Sequence, residues 1–217
     1  RVPNQPQSRT DTLIDMEYRS YTIAGEEVRI PIPHSYTDCA ELIRSDAYRH
    51  TGRRDSLFKI WLMGLNRTSV GFSFWWRLAQ HRKGWLYIPA KIMVRRYKRR
   101  YGLTIPPRTV VGYGLYIGHC QGLVINPSAV IGNNVSFGQF STVGAGSGEA
   151  AKIGNNVYFG PSVCVVDDVE IHSGSCIGAG AVVTRSITEA SVVGGVPAKK
   201  LNAPLHPEYI GNPWPLP

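Results

Sequence analysis

No run of eighteen apolar residues occurs in this 217-residue chain, so the sequence offers no helix able to span a bilayer. Cysteine is scarce. Cys39, Cys120, Cys164 and Cys176 have neither metal-ligand nor redox spacing, which points to reduced thiols in a cytosolic protein rather than a disulfide framework. No signal-peptide pattern follows Arg1. Acidic residues are missing between 77 and 100, where nine bases stand: Arg77, Arg82, Lys83, Lys91, Arg95, Arg96, Lys98, Arg99 and Arg100. The other fifteen Lys and Arg balance fifteen Asp and Glu, so the whole formal charge of +9 belongs to one segment. That segment carries no nucleic-acid motif and the rest of the chain is neutral, so no nucleic-acid partner is expected.

What the chain does have is a period of six. Between Val111 and Val183 an aliphatic or aromatic residue followed by a small one recurs, as in Ile131-Gly132, Phe137-Gly138, Val143-Gly144, Ile153-Gly154, Phe159-Gly160, Ile171-His172 and Ile177-Gly178. A helix repeats its apolar positions at about 3.6 residues and a half-buried strand at 2, so a register of six requires short strands joined by regular corners. Three such strands close one triangular coil. Four residues after each marker stands a second column of Leu115, Ala129, Val135, Ser141, Val157, Val163, Val169, Ser175 and Ala181, all but Leu115 small or β-branched. Both columns must point inward, and stacking about five coils buries them while the backbone pairs from coil to coil. Gly and Asn pairs such as Gly132-Asn133-Asn134 suit the corners.

The register breaks twice, and breaks in a repeat are where function concentrates. After Ile117 the next aliphatic start, Ile125, comes two residues late; after Val143 the next, Ile153, comes four residues late, so residues 145–152 include a projecting loop. His119 falls at the first break, two residues beyond the inward Ile117, which places its side chain outside the core.

Upstream, Thr37 and Asp38 are plausible N-caps before Ala40-Glu41-Leu42-Ile43-Arg44. Val28 to Pro33 alternates like a strand that its prolines confine to an edge, and Arg1 to Arg9 should be flexible. Pro89 suits a helix start, with Ala90, Met93, Val94, Tyr97 and Tyr101 on one face and Lys91, Arg95, Lys98 and Arg99 on another. Phe72, Phe74, Trp75, Trp76 and Trp85 just before it leave two readings open. They pack the helices together, or they join the bases in touching an anionic membrane surface. The tail holds Pro204, Pro207, Pro213, Pro215 and Pro217, which excludes a regular helix or central strand and suits wrapping over the outside of a neighbour.

These residues carry a resemblance. The hexapeptide run, Gly118-His119-Cys120-Gln121-Gly122, Thr142-Val143-Gly144 and the closing Gly195-Val196-Pro197-Ala198-Lys199 resemble the serine acetyltransferase family over about half the chain. Glu41 to Asp46, Tyr48-Arg49-His50-Thr51-Gly52 and Tyr116-Ile117-Gly118-His119 further resemble a branch from bacterial capsule and exopolysaccharide clusters. The resemblance implies a mainly β protein whose left-handed parallel β-helix follows a smaller α-helical N-terminal region. It divides as a mostly helical region over 1–102 with its basic aromatic segment at 72–101, the β-helix over 103–200, and a proline-rich tail over 201–217. It also implies a homotrimer with sites between subunits, in the bacterial cytoplasm or held at the inner face of the cell membrane.

Direct acyl transfer from a thioester to a hydroxyl needs a base, and an imidazole suits that task at cell pH. The resemblance makes His119 that base and acetyl-CoA the donor, with no metal. Carbonic anhydrases built on the same repeat need three metal-binding histidines, and the repeats hold only His119 and His172. Backbone N–H groups near Gly144, Ala145 and Gly146 would hold the oxyanion. Gly146, Gly160, Gly178 and Ala179 would line the pantetheine arm, and Lys199 and Lys200 would meet its phosphates. Cys120 is taken as a small corner residue rather than a nucleophile. Gly118, Gln139 and Glu149 are the candidate acceptor contacts.

The chain departs from the serine enzymes at three places. Gly118 replaces an acidic residue, Thr104 stands where an orienting aspartate is expected, and the region of Glu149-Ala150-Ala151 replaces an Arg-His pair. Lacking those charges, the acceptor expected is a sugar hydroxyl of a capsular or other surface polysaccharide. The alternatives are a serine O-acetyltransferase of cysteine biosynthesis or a non-catalytic scaffold.

Overall fold

A computed structural model describes residues 16–216, so the expected flexibility of Arg1 to Arg9 lies outside the described residues. The described chain opens with an antiparallel hairpin, β1 (Glu17–Ile23) and β2 (Glu26–Ile32), which turns through Ala24 and Gly25 at positive φ. Pro31 is tolerated because this sheet has two strands, both edges. Ile23, Val28 and Ile30 pack on Val130, so the hairpin lies against the repeat domain.

Four helices follow: α1 (Tyr36–Thr51), α2 (Leu57–Asn66), α3 (Thr68–Leu78) and α4 (Tyr87–Tyr101). The caps expected at Thr37 and Asp38 are corrected. Ser35 is the N-cap, its hydroxyl accepting from the Asp38 N–H while the Asp38 carboxylate accepts from the Ser35 N–H. Pro89 falls in the first turn of α4, where its missing N–H has no helical partner to lose. On α4, Ala90, Val94, Tyr97 and Tyr101 pack inward, while Lys91, Arg95, Lys98 and Arg99 are exposed. Of the upstream aromatics, Phe72 and Trp76 are fully buried, Phe74 and Trp75 pack among the helices, and Trp85 is 80% exposed.

The repeat domain begins with a coil of β3 (Val110–Val111), β4 (Tyr116–Ile117) and β5 (Val124–Ile125). The second coil is β6 (Val130–Ile131), β7 (Ser136–Phe137) and β8 (Thr142–Val143). The third is β9 (Lys152–Ile153), β10 (Tyr158–Phe159) and β11 (Cys164–Val165). The fourth is β12 (Glu170–Ile171), β13 (Cys176–Ile177) and β14 (Val182–Val183), and β15 (Val192–Gly194) starts a fifth. Four complete coils therefore stand where about five were expected. Strands stack in parallel on three faces, one of them running β4, β7, β10, β13 and β15. Both six-residue columns are buried, from Val111 to Val183 and from Leu115 to Ala181, and Phe137 stacks on Phe159 at 4.8 Å.

Each end of the stack is closed. At the last rung β16 (Lys199–Lys200) pairs antiparallel with β15, the Ala198 N–H bonds the Val182 carbonyl, and the His172 N–H bonds that of Ile187. At the first rung the helices supply what a preceding coil would. Arg77 donates to the carbonyls of Val111 and Gly112 at 2.9 and 2.6 Å, and Asp46 accepts from the Leu115 N–H at 2.7 Å. Arg77 and Asp46 form a buried two-point ion pair at 2.8 and 3.0 Å. Arg77, counted among the basic segment in the sequence, is thus a structural cation.

Candidate active site

The extra residues of the first break make a corner after β4. Gly118 donates its N–H to the Phe137 carbonyl at 2.8 Å, and His119 and Cys120 both take positive φ, which turns the chain sharply outward. The two side chains separate. His119 is exposed at the corner, whereas Cys120 is buried and its thiol is pushed up to about 12 by burial, which suits a packed corner residue and not a nucleophile.

Beneath this corner the same edge of the prism stacks Gly138-Gln139, Gly160-Pro161 and Gly178-Ala179, each following a strand of the β4 face. Small residues are required here. A Cβ on Gly160 would lie 2.6 Å from the Ala179 nitrogen, and one on Gly138 2.6 Å from that of Pro161.

His119 stands at the lip of a cleft of about 420 Å³ walled by Arg49, Tyr116, Gln139, Tyr158, Glu208 and Tyr209, among others. Arg49 comes from α1 and is only 3% exposed. Its guanidinium donates to the carbonyls of Gly211 and Gly114 and to Ser136 Oγ at 2.8, 2.6 and 2.8 Å, leaving two of its five N–H groups. Burial pulls its pKa down to about 10, which still leaves a cation at neutral pH. Glu208, also in the lining, sits in a short 3-10 turn, Pro207–Tyr209, and accepts from the His206 ring at 2.8 Å, which holds its carboxyl below the usual range. Gln139 Oε1 is buried with no hydrogen-bond partner, an acceptor awaiting a donor.

The tail that builds this wall docks on its own chain. Asn134 exchanges two hydrogen bonds with the Trp214 backbone at 2.8 and 3.0 Å, and the buried indole stacks on Tyr113 with Arg54 across its face.

The residues singled out in the sequence divide into groups. Gly118, His119 and Gln139 share the cleft, and Gly160, Gly178 and Ala179 continue its edge downward. Gly144, Ala145 and Gly146 follow β8 on the next edge, about 20 Å away along the intervening strand path. The Gly146 N–H is moreover given to Asp167 Oδ1 at 2.5 Å. Glu149 is exposed in that same loop and does not line the cleft. Lys200 pairs with Glu189 at 2.5 Å and Lys199 is exposed beside it. Thr104 bridges to Val124 and lines a different cleft. Arg49, Tyr158, Glu208 and Tyr209 were missed as site residues. Their one signal in the sequence is the Tyr48 to Gly52 segment, which carries a resemblance but no sign of the wall it forms.

Residues 150–185 match the bacterial transferase hexapeptide family (six repeats). The chain is 34% identical over 108 residues to serine acetyltransferase 2 of Arabidopsis thaliana, covering 48% of this chain and 33% of that protein. It is 33% identical over 115 residues to the serine acetyltransferase of Staphylococcus aureus strain N315, covering 51% and 54%. The chain thus spans a third to a half of the length of these curated relatives. Its fold matches the serine acetyltransferase of Vibrio cholerae with a TM-score of 0.67 over 81% of this chain and 70% of that one, at 24% identity. The Neisseria gonorrhoeae serine acetyltransferase in complex with serine matches at 28% identity with a TM-score of 0.62, over 75% and 69%. Residues 150–185 thus resemble the hexapeptide repeats of bacterial transferases, and the curated relatives and solved structures named here are serine acetyltransferases. These relatives overturn the reading of a capsular or exopolysaccharide branch with a polysaccharide acceptor. The acidic residue and the Arg-His pair are missing at the two register breaks, but Arg49 from α1 and Glu208 from the tail bring charge to the cleft.

Proposed function

We propose that the protein is an acetyl-CoA-dependent O-acetyltransferase whose acceptor is the side-chain hydroxyl of L-serine. The observation that carries this reading is the exposed His119 at the lip of a cleft with a guanidinium in one wall and a carboxylate in another. A zwitterion needs both charges, and the free N–H groups of Arg49 suit its carboxylate while Glu208 suits its ammonium. Names of the relatives agree with that acceptor.

In the reaction the His119 imidazole takes the serine hydroxyl proton as the oxygen attacks the thioester carbonyl. The tetrahedral intermediate collapses with cleavage of the C–S bond, and the imidazolium returns its proton to the departing thiolate. CoA thiol and O-acetylserine are the products, and no acyl-enzyme forms. Gly160, Gly178 and Ala179, small residues on the His119 edge, would line the path of the pantetheine arm.

Gly144 and Ala145, on the next edge, are too far away to serve the same donor within one chain. A homotrimer supports them, because threefold packing sets that edge of one subunit against the His119 edge of another. Lys199, free of the Glu189 pair, suits a donor phosphate.

The test is thiol release from acetyl-CoA with L-serine, simple sugars or no acceptor. L-serine should support release, and His119→Ala should lower kcat by about 10²- to 10⁴-fold. Release that is indifferent to serine, or a variant within about threefold of wild type, overturns the proposal.

A further inference from the structure

A second cleft, of about 490 Å³, lies between α4 and the chain entering the first coil, and shares no lining residue with the His119 cleft. Arg82, Lys91, Arg95, Lys98 and Arg108 line it together with Tyr87, and its lining includes no carboxylate. None is available nearby in sequence, for the chain has no Asp or Glu from residue 56 to residue 148. Five cations gathered in a groove without a counter-charge raise the local potential and call for an anion.

An apolar ridge borders this groove. Ile88 and Ile92 are 61% and 56% exposed on α4, and Trp85 stands just before the helix. Lys91 and Arg95 follow Ile88 and Ile92 by three residues, so groove and ridge share one helix flank. Outward indole and isoleucine side chains gain nothing from water, and they sit beside bases that gain from phosphate.

We propose that this face binds the surface of an anionic phospholipid bilayer, with Trp85, Ile88 and Ile92 entering the headgroup boundary and the basic groove taking lipid phosphate. The charge pattern selects that occupant over a second copy of the chain. A twofold contact through this face would set the same bases against each other, whereas an anionic bilayer neutralises them.

The experiment is co-sedimentation of the intact protein with vesicles of phosphatidylcholine alone or with one-third phosphatidylglycerol. Binding should need the anionic lipid and fade as salt rises to about 0.5 M, where the screening length falls to a few ångströms. Lys91→Gln with Arg95→Gln should weaken binding about thirtyfold, and Ile88→Ser with Ile92→Ser about tenfold, both with wild-type thiol release as proof of an intact fold. Equal binding to neutral vesicles, or none to either, overturns the proposal. So does displacement by 10 mM inorganic phosphate at matched ionic strength, which would make the groove a soluble-anion site. Self-association lost in the isoleucine variant, with vesicle binding unchanged, would assign the face to a second copy.

Discussion

Replacing Asp46 with alanine tests what joins the helices to the β-helix. The carboxylate accepts from Arg77 Nε and Nη2 at 2.8 and 3.0 Å, from the Leu115 N–H at 2.7 Å and from the Ser73 hydroxyl. Both partners of the ion pair are almost wholly buried. Asp46→Ala therefore leaves a buried guanidinium, a backbone N–H and a hydroxyl without their acceptor, a loss of about 3–5 kcal/mol for a broken buried pair. In a chain of this size that lowers the unfolding midpoint by roughly 6–20 °C. Arg77→Met orphans the carboxylate in turn and frees the Val111 and Gly112 carbonyls. The double variant has neither uncompensated charge, so it should lose less than the sum of the singles by about 2 kcal/mol or more. Urea unfolding followed by far-UV circular dichroism, at one protein concentration, measures all four species. Additivity within about 0.5 kcal/mol would refute the reasoning, because it would mean that the two charges do not depend on each other.

Two further outcomes follow from burial. Desolvation, with Arg67 close by, pulls His50 from its ordinary 6.5 down to about 4, so between those values the unfolded chain binds a proton that the folded chain refuses. Stability should be full above pH 6.5 and fall as pH drops towards 4, by about 3 kcal/mol at the foot of the window; a His50→Gln variant with the same decline refutes this. Trp214→Ala removes the buried anchor of the tail, so the tail should become protease-sensitive and KM for serine should rise about tenfold as Glu208 and Tyr209 leave the cleft. An unchanged KM beside a cleaved tail would separate the tail from acceptor binding.

The β-helix was readable from the chain because each coil repeats the same inward pair, so periodicity alone reports burial from Val111 to Val183. His119 was readable for the converse reason, as a departure from that register. The walls of its cleft were not. Arg49 lies 65 residues before Gly114, whose carbonyl it binds, and Glu208 sits within the proline-rich tail; local pattern says nothing about such pairings. Arg77 likewise stands in the sequence as one base among nine, since a buried cation looks like an exposed one until its carboxylate is found on α1. Ser35 was overlooked as a cap because Thr37 and Asp38 offered equally good oxygens, and only the backbone geometry chooses among them.

A stack of identical rungs has no natural stopping point, and an open terminal rung is a template on which another molecule can dock end to end. Here the antiparallel β16 obstructs growth at one end, while Arg77 and Asp46 occupy the bare amide and carbonyl groups at the other. The ion pair that anchors the helices is thereby also a guard against filaments. A protein stripped of it should be prone to fibrous aggregation even where its cleft survives.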